Sequence, residues 1–142
     1  ESIKNIALQQ TELQTYNGIG CFNDMDMLVV GMNGNGNVGL NGCMFEEYKT
    51  HFSLWAFLNS PLMIGCDIRS MSEETKQILM NREIIAINQD PAGRQPYIVG
   101  GVHTMFGINA YCWVKLLNNG DFAIGMFNLV SSINSIKLTL KI

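Results

Sequence analysis

A chain of 142 residues holds one domain-sized core or pieces of two, which excludes a complete multi-domain enzyme. Its charged residues, 15% of the total, fall well below the roughly 25% of an ordinary soluble domain, while apolar residues reach 47%. Nine basic side chains against twelve acidic ones give a formal net charge of −3, which leaves no electrostatic footprint for nucleic acid or an anionic membrane.

Residues 2 to 14 place Ile3, Ile6, Ala7 and Leu13 near helical spacing, and Asn17-Gly18 supplies a stop, so an amphipathic helix is predicted to open the chain. The run GCFNDMDMLVVG is apolar, β-branched and bounded by glycine, as a strand is. It leads into MNGNGNVGLNG, too rich in Gly and Asn to hold regular structure cheaply. From Met44 to Asn59 the residues Phe45, Tyr48, Phe52, Trp55 and Ala56 recur at intervals of three and four, and Pro61 disfavours helix at Ser60, which predicts a second helix. LMIGCDI is a short continuous apolar run of the kind found in strands buried on both faces. In SMSEETKQILM, Ser70 or Ser72 is the N-cap, and Glu73 and Glu74 favour the dipole of the helix that follows.

NREIIAIN adds a short helical turn, and Gln89-Asp90-Pro91-Ala92-Gly93 is a turn cluster after which the periodicity changes, marking a domain boundary. Beyond it, YCWVKLL and DFAIGMFNL flank Asn118-Asn119-Gly120, a tight-hairpin signal, and a further strand is predicted over Ile136 to Ile142. Helices alternating with strands before residue 90 argue for an α/β arrangement with parallel strands, followed by an antiparallel β segment.

No apolar run approaches the roughly 18 residues of a membrane span, and ESIKNIALQQ has neither the basic region nor the apolar core of a signal peptide. The first residue is Glu, and SIKLTLKI stops inside an alternating pattern, so a piece of a larger protein is expected. Cys21, Cys43, Cys66 and Cys112 form no C-x-x-C and no zinc-type spacing with His, which calls for neither a metal nor a cofactor. Free, buried thiols are expected, and they lean toward a reducing, cytoplasmic compartment.

Asp24 and Asp26 would point to one face of an extended chain, roughly 7 Å apart, a spacing at which paired carboxylates can share acid and base roles. The same residues serve equally in Asx-type turns. Gly34-Asn35-Gly36-Asn37-Val38-Gly39 spells G-x-G-x-x-G but fits a dinucleotide site poorly, because Leu40 to Cys43 intervene before the helix. His51, four residues after Glu47, reads as an i to i+4 partner or a core histidine. His103 offers no partner nearby. Asp67 and Arg69 read as an ion pair or helix-entry contact, with substrate binding as the alternative.

The runs GCFNDMDMLVVG, EEYKTHFSLWAFLNSPLMIGCDIRSM and IIAINQDPAGRQ closely resemble the α-galactosidase (melibiase) family, family twenty-seven of the glycoside hydrolases. The resemblance covers about residues 1 to 96. It implies that residues 1–92 are the end of a (β/α)8 TIM barrel, with strands seven and eight and their flanking helices. Residues 93–142 would begin the family's C-terminal antiparallel β domain, a β-sandwich. Active sites of such barrels lie at the carboxyl ends of the strands. The family's N-D-x-D-M motif places Asp26 and Met27 there as substrate-binding contacts to galactose, with LVVG leading into the loop. Met25 stands where eukaryotic members usually carry Pro, which points to a bacterial relative. The family nucleophile, in a K-Y-D or K-F-D context, and its acid/base have no counterpart in this sequence, so no catalytic residue is assigned. The resemblance implies an enzyme, a retaining glycoside hydrolase taking α-galactosides. This chain alone is expected to be inactive and to need the N-terminal barrel half of the same protein; a homo-oligomer is left open. α-N-acetylgalactosaminidase and a non-catalytic carbohydrate-binding remnant are the alternatives.

Overall fold

The computed structural model describes residues 2–35, 42–104 and 107–129. Helix α1 spans Ile3–Gln9, shorter than expected, with Ser2 Oγ accepting from Asn5 N at its start. Two 3-10 turns, Gln10–Glu12 and Gln14–Tyr16, carry the rest of the predicted helix. Helix α2 is Phe45–Phe57, α3 is Glu73–Leu79 and α4 is Arg82–Asn88. Ser72, not Ser70, caps α3 through Thr75 N, and Asn81 caps α4 through Glu83 N and Ile84 N. Among the described residues no helix is long and apolar enough to cross a membrane.

Two expected strands do not form as ladders. Residues 22–27 are irregular, and the segments meet in one parallel bridge between Leu28 and Ile64, closed by Leu28 N to Met63 O at 2.8 Å and Gly65 N to Leu28 O at 3.0 Å. The parallel sense agrees with the predicted α/β order, but LMIGCDI is not buried on both faces, since Met63 and Ile64 are exposed. An apolar run marks where a strand can pair; a ladder also needs neighbours on both sides, and no described strand of this chain flanks these two. Gly65 is what lets the segments meet, because a Cβ there would stand 2.7 Å from the Leu28 carbonyl oxygen.

The β segment is a three-stranded antiparallel sheet of β1 (Tyr97–Thr104), β2 (Gly107–Leu116) and β3 (Phe122–Asn128), in that spatial order. The predicted hairpin is present: Leu116 faces Phe122, and Gly120 turns the chain at φ +90°. Strand β1 was not anticipated, because Gly100-Gly101 and two register shifts interrupt its alternation. The strand expected over residues 136 to 142 lies outside the described residues.

Helix α2 is the centre of the core. Tyr48, His51, Phe52, Leu54, Trp55, Ala56 and Phe57 are all buried, so little of its second half remains amphipathic. It packs against α1, α3 and α4. It also meets the sheet, where Phe57 and Phe127 lie edge to face with ring centres 6.0 Å apart. Gly125 of β3 opens the space for this contact; a Cβ there would reach 3.3 Å from the Phe57 ring. Trp113 packs on Phe127 at 5.3 Å and near Tyr111 at 5.9 Å, carrying the aromatic layer across β2. Of the four cysteines, all free, only Cys112 is buried and Cys21 is exposed. The expectation of uniformly buried thiols is therefore corrected: Cys43 and Cys66 are half-buried against the edge of the core, and Cys21 lies outside it.

Candidate functional site

Asp26 and Met27 lie just before the bridge at Leu28, both exposed. The extended geometry assumed for Asp24 and Asp26 is not adopted, because Asp26 takes a left-handed φ of +72°. Asp is among the few residues that enter this region readily. Asp24 Oδ1 accepts from Asp26 N at 2.9 Å, the Asx-type turn that the short spacing also allowed. Asp26 Oδ1 accepts from Met27 N at 2.6 Å. Its second carboxylate oxygen faces outward with no protein donor among the described residues.

This segment cannot rely on a sheet to satisfy its backbone, and buried N–H groups left unpaired are costly. Each N–H from Met25 to Val29 nonetheless has an acceptor. Met25 N donates to Ser60 Oγ at 3.0 Å, Asp26 N to Asp24, Met27 N to Asp26, Leu28 N to Met63 O and Val29 N to His51 Nε2 at 3.0 Å. Helix α2 supplies further partners: Trp55 Nε1 donates to Asp26 O at 2.8 Å, and Tyr48 Oη accepts from Asn33 N at 2.9 Å. Tyr48, His51 and Trp55 stand at i, i+3 and i+7, one face of the helix. Their apolar bodies fill the core while their polar tips hold the backbone of residues 26–33. Beyond the bridge, Met32 N returns to Val29 O at 3.1 Å, so LVVG leads into the loop as expected.

Of the two readings of His51, the core histidine is the one adopted: the ring is buried, and Glu47 Oε2 instead accepts from Met44 N at 2.7 Å at the start of α2. Because Nε2 accepts from Val29 N, the ring is neutral with its proton on Nδ1, which finds no partner among the described residues. Its ring stands edge-on to Trp55 at 4.1 Å. Burial lowers its pKa from 6.5 to about 4. Between those values the unfolded chain binds a proton that the folded chain refuses, so stability rises with pH. The stabilisation is complete above about pH 6.5 and is lost as pH falls toward 4, a change on the order of 3 kcal/mol. In the complete protein, His51→Gln keeps an acceptor near Val29 N. Its denaturation midpoint should fall less steeply between pH 6.5 and 4 than that of the parent; equal slopes would exclude His51 as the source.

Asp67 and Arg69 form an ion pair and a helix-entry contact. Asp67 Oδ2 accepts from the Arg69 guanidinium at 2.7 Å, and Asp67 Oδ1 from Arg69 Nε at 2.9 Å and from Arg69 N at 3.0 Å. The Arg69 partner holds the Asp67 carboxyl below its usual range. A concavity of about 270 Å³ lies alongside, lined by Asn33, Asn35, Cys66, Asp67 and Thr75; neither Asp26 nor Met27 lines it. Of the G-x-G-x-x-G run, Gly36 to Gly39 lie outside the described residues. His103 sits on β1, where its side chain is outside what is described.

Tyr48, Trp55 and Ser60 were missed as functional residues. The spacing of Tyr48 and Trp55 marked a core face, and nothing in the sequence distinguishes an aromatic that only packs from one whose polar tip holds a neighbouring backbone; Ser60 was read only as the residue at which Pro61 disfavours helix.

Residues 1–90 match the family described as Alpha galactosidase A, a melibiase family. The chain is 49% identical over 122 residues to Alpha-galactosidase A of Cellvibrio japonicus, covering 84% of this chain and 26% of that protein. It is 49% identical over 94 residues to Alpha-galactosidase 3 of Arabidopsis thaliana, covering 66% of this chain and 20% of that protein. The structure of α-galactosidase MEL1 from Saccharomyces cerevisiae aligns at a TM-score of 0.76 and 30% identity, covering 89% of this chain and 27% of the other. The chain spans 33% or less of the length of these curated relatives and of the Dictyostelium discoideum relative, 39% identical over 142 residues. With a match across residues 1–90 and relatives from bacteria, plants and yeast all named α-galactosidase, this chain belongs to the α-galactosidase (melibiase) family of glycoside hydrolases.

Proposed function

We propose that this chain is the closing section of a retaining α-galactosidase, in which Asp26 accepts hydrogen bonds from galactose hydroxyls and Met27 packs against the sugar. Residues 1–92 would complete the (β/α)8 barrel and residues 93–142 would open the C-terminal β domain. The observation that carries this reading is the state of Asp26: an exposed carboxylate with one oxygen unclaimed, on a backbone held at φ +72° by the Trp55 N–H and the Met27 N–H. A charged acceptor fixed in place before the ligand arrives spends little binding energy on ordering. Its hydrogen bonds orient the galactosyl ring, and they assist the chemical step to the extent that they tighten as the ring distorts toward the oxocarbenium-like transition state.

The nucleophile and the acid/base would come from residues outside this chain. One carboxylate attacks the anomeric carbon, and the other protonates the departing oxygen and then activates water. The test is the complete protein acting on an aryl α-galactoside, with the first-formed sugar followed by NMR. Release of α-galactose ahead of β-galactose is the expected result. β-Galactose appearing first would reject the retaining mechanism, and no release at all would reject the enzyme.

A further inference from the structure

Lys115 is fully buried, although nothing around β2 in the sequence marks it as unusual. It follows Tyr111 and Trp113 on the face of β2 turned toward the helices, since alternate residues of a strand share a face. Its Nζ donates to Ile87 O in the last turn of α4 at 2.5 Å, and to Asn59 Oδ1 just beyond the end of α2. Both acceptors lie at helix C-termini, where a cation is favoured. Burial lowers its pKa from 10.5 to about 8, with Asp90 opposing the shift. Burial thus works against the charged amine, and the two oxygens that it meets work for it.

The acceptor Asn59 is itself fixed in place. Asn59 sits at φ +59° and is buried, with its Nδ2 donating to Arg94 O at 2.9 Å. Asn59 is thereby gripped from both sides by the chain that follows α4. The next residue, Ser60, is equally buried; Asn88 Nδ2 donates to its carbonyl oxygen at 3.0 Å, and its Oγ takes the Met25 N–H at 3.0 Å. Met25 directly precedes Asp26. Two buried polar contacts, joined by the Asn59–Ser60 peptide bond, thus connect the β sheet to the site segment.

We infer that Lys115 is a positioning residue for the sugar-contacting segment, acting through Asn59 and Ser60 on the backbone at Met25 and Asp26. The inference rests on the sugar-binding reading of Asp26 and adds that the β domain sets the geometry of that contact. The route requires a residue other than proline at position 25, because a Pro there would have no N–H to give Ser60.

The test uses Lys115→Met and Ser60→Ala in the complete protein. Amide hydrogen exchange is followed over residues 25–29, with α3 as the internal control, alongside kcat and KM on an aryl α-galactoside. Each variant should speed exchange at the Met25 amide by about 10-fold, the equivalent of one lost hydrogen bond, and leave α3 protected. Each should also lower kcat/KM several-fold, and the double variant should be no worse than the more damaging single, since both cut one route. If Lys115→Met does not fold, Asn59→Gly opens the same link while accepting the positive φ, and it must give the same exchange signature. Unchanged exchange at residues 25–29, or effects of the two substitutions that multiply, would overturn the inference. Exchange reports the coupling and Asp26→Asn kinetics report the sugar contact, so the two ideas fail separately.

Discussion

Asp26→Asn in the complete protein should cut kcat/KM on an aryl α-galactoside by at least about 10-fold, with little change in folding stability. Asn tolerates the left-handed φ of +72° nearly as well as Asp does. Its amide oxygen can still take the Met27 N–H that Asp26 Oδ1 accepts at 2.6 Å. In that orientation the amide NH2 occupies the outward position and presents a donor where the sugar hydroxyl needs an acceptor. A hydrogen bond to a charged group contributes about 1.5 kcal/mol or more, and each 1.36 kcal/mol is a factor of ten in rate. Steady-state kinetics beside a denaturation curve provide the check: an unchanged rate would remove Asp26 from the site.

The largest effect on stability is expected at Trp55. It is almost fully buried, touches His51 edge-on at 4.1 Å and gives its N–H to Asp26 O. Trp55→Ala should cost about 3–5 kcal/mol through the cavity alone, and the orphaned carbonyl adds about 1–3 kcal/mol. Trp55→Phe separates the two roles, because it keeps most of the packing and removes only the donor. That variant should remain folded and bind galactoside more weakly, as read from its denaturant midpoint and its KM. A Phe variant with parental KM would show that the Trp55 hydrogen bond has no part in holding Asp26.

Local signals were the legible ones. Helix α2 was visible in its three-and-four spacing, α3 in its two glutamates behind a serine cap at Ser70 or Ser72, and the hairpin in Asn119-Gly120, because each is encoded within a few residues. The runs around Leu28 and Ile64 were read as parallel strands, but not that they meet in a single bridge, since an apolar run records a tendency to pair without recording the partners. Strand β1 escaped notice because paired glycines and register shifts erase its alternation. At the site, the motif singled out Asp26 and Met27, but the geometry of their segment depends on Trp55, His51 and Ser60, which lie far along the chain. Lys115 was the least legible: a lysine on a strand reads as solvent-facing, and only the tertiary fold places its amine between two helix ends.

The most direct measurement is galactose release from an aryl α-galactoside by the isolated 142-residue chain, run beside the complete protein at equal molar concentration. The account predicts turnover by the complete protein and none above buffer from the chain alone, because it assigns this chain a sugar contact and places both reactive carboxylates outside it. Galactose released by the isolated chain, as a cooperatively melting monomer, would contradict it.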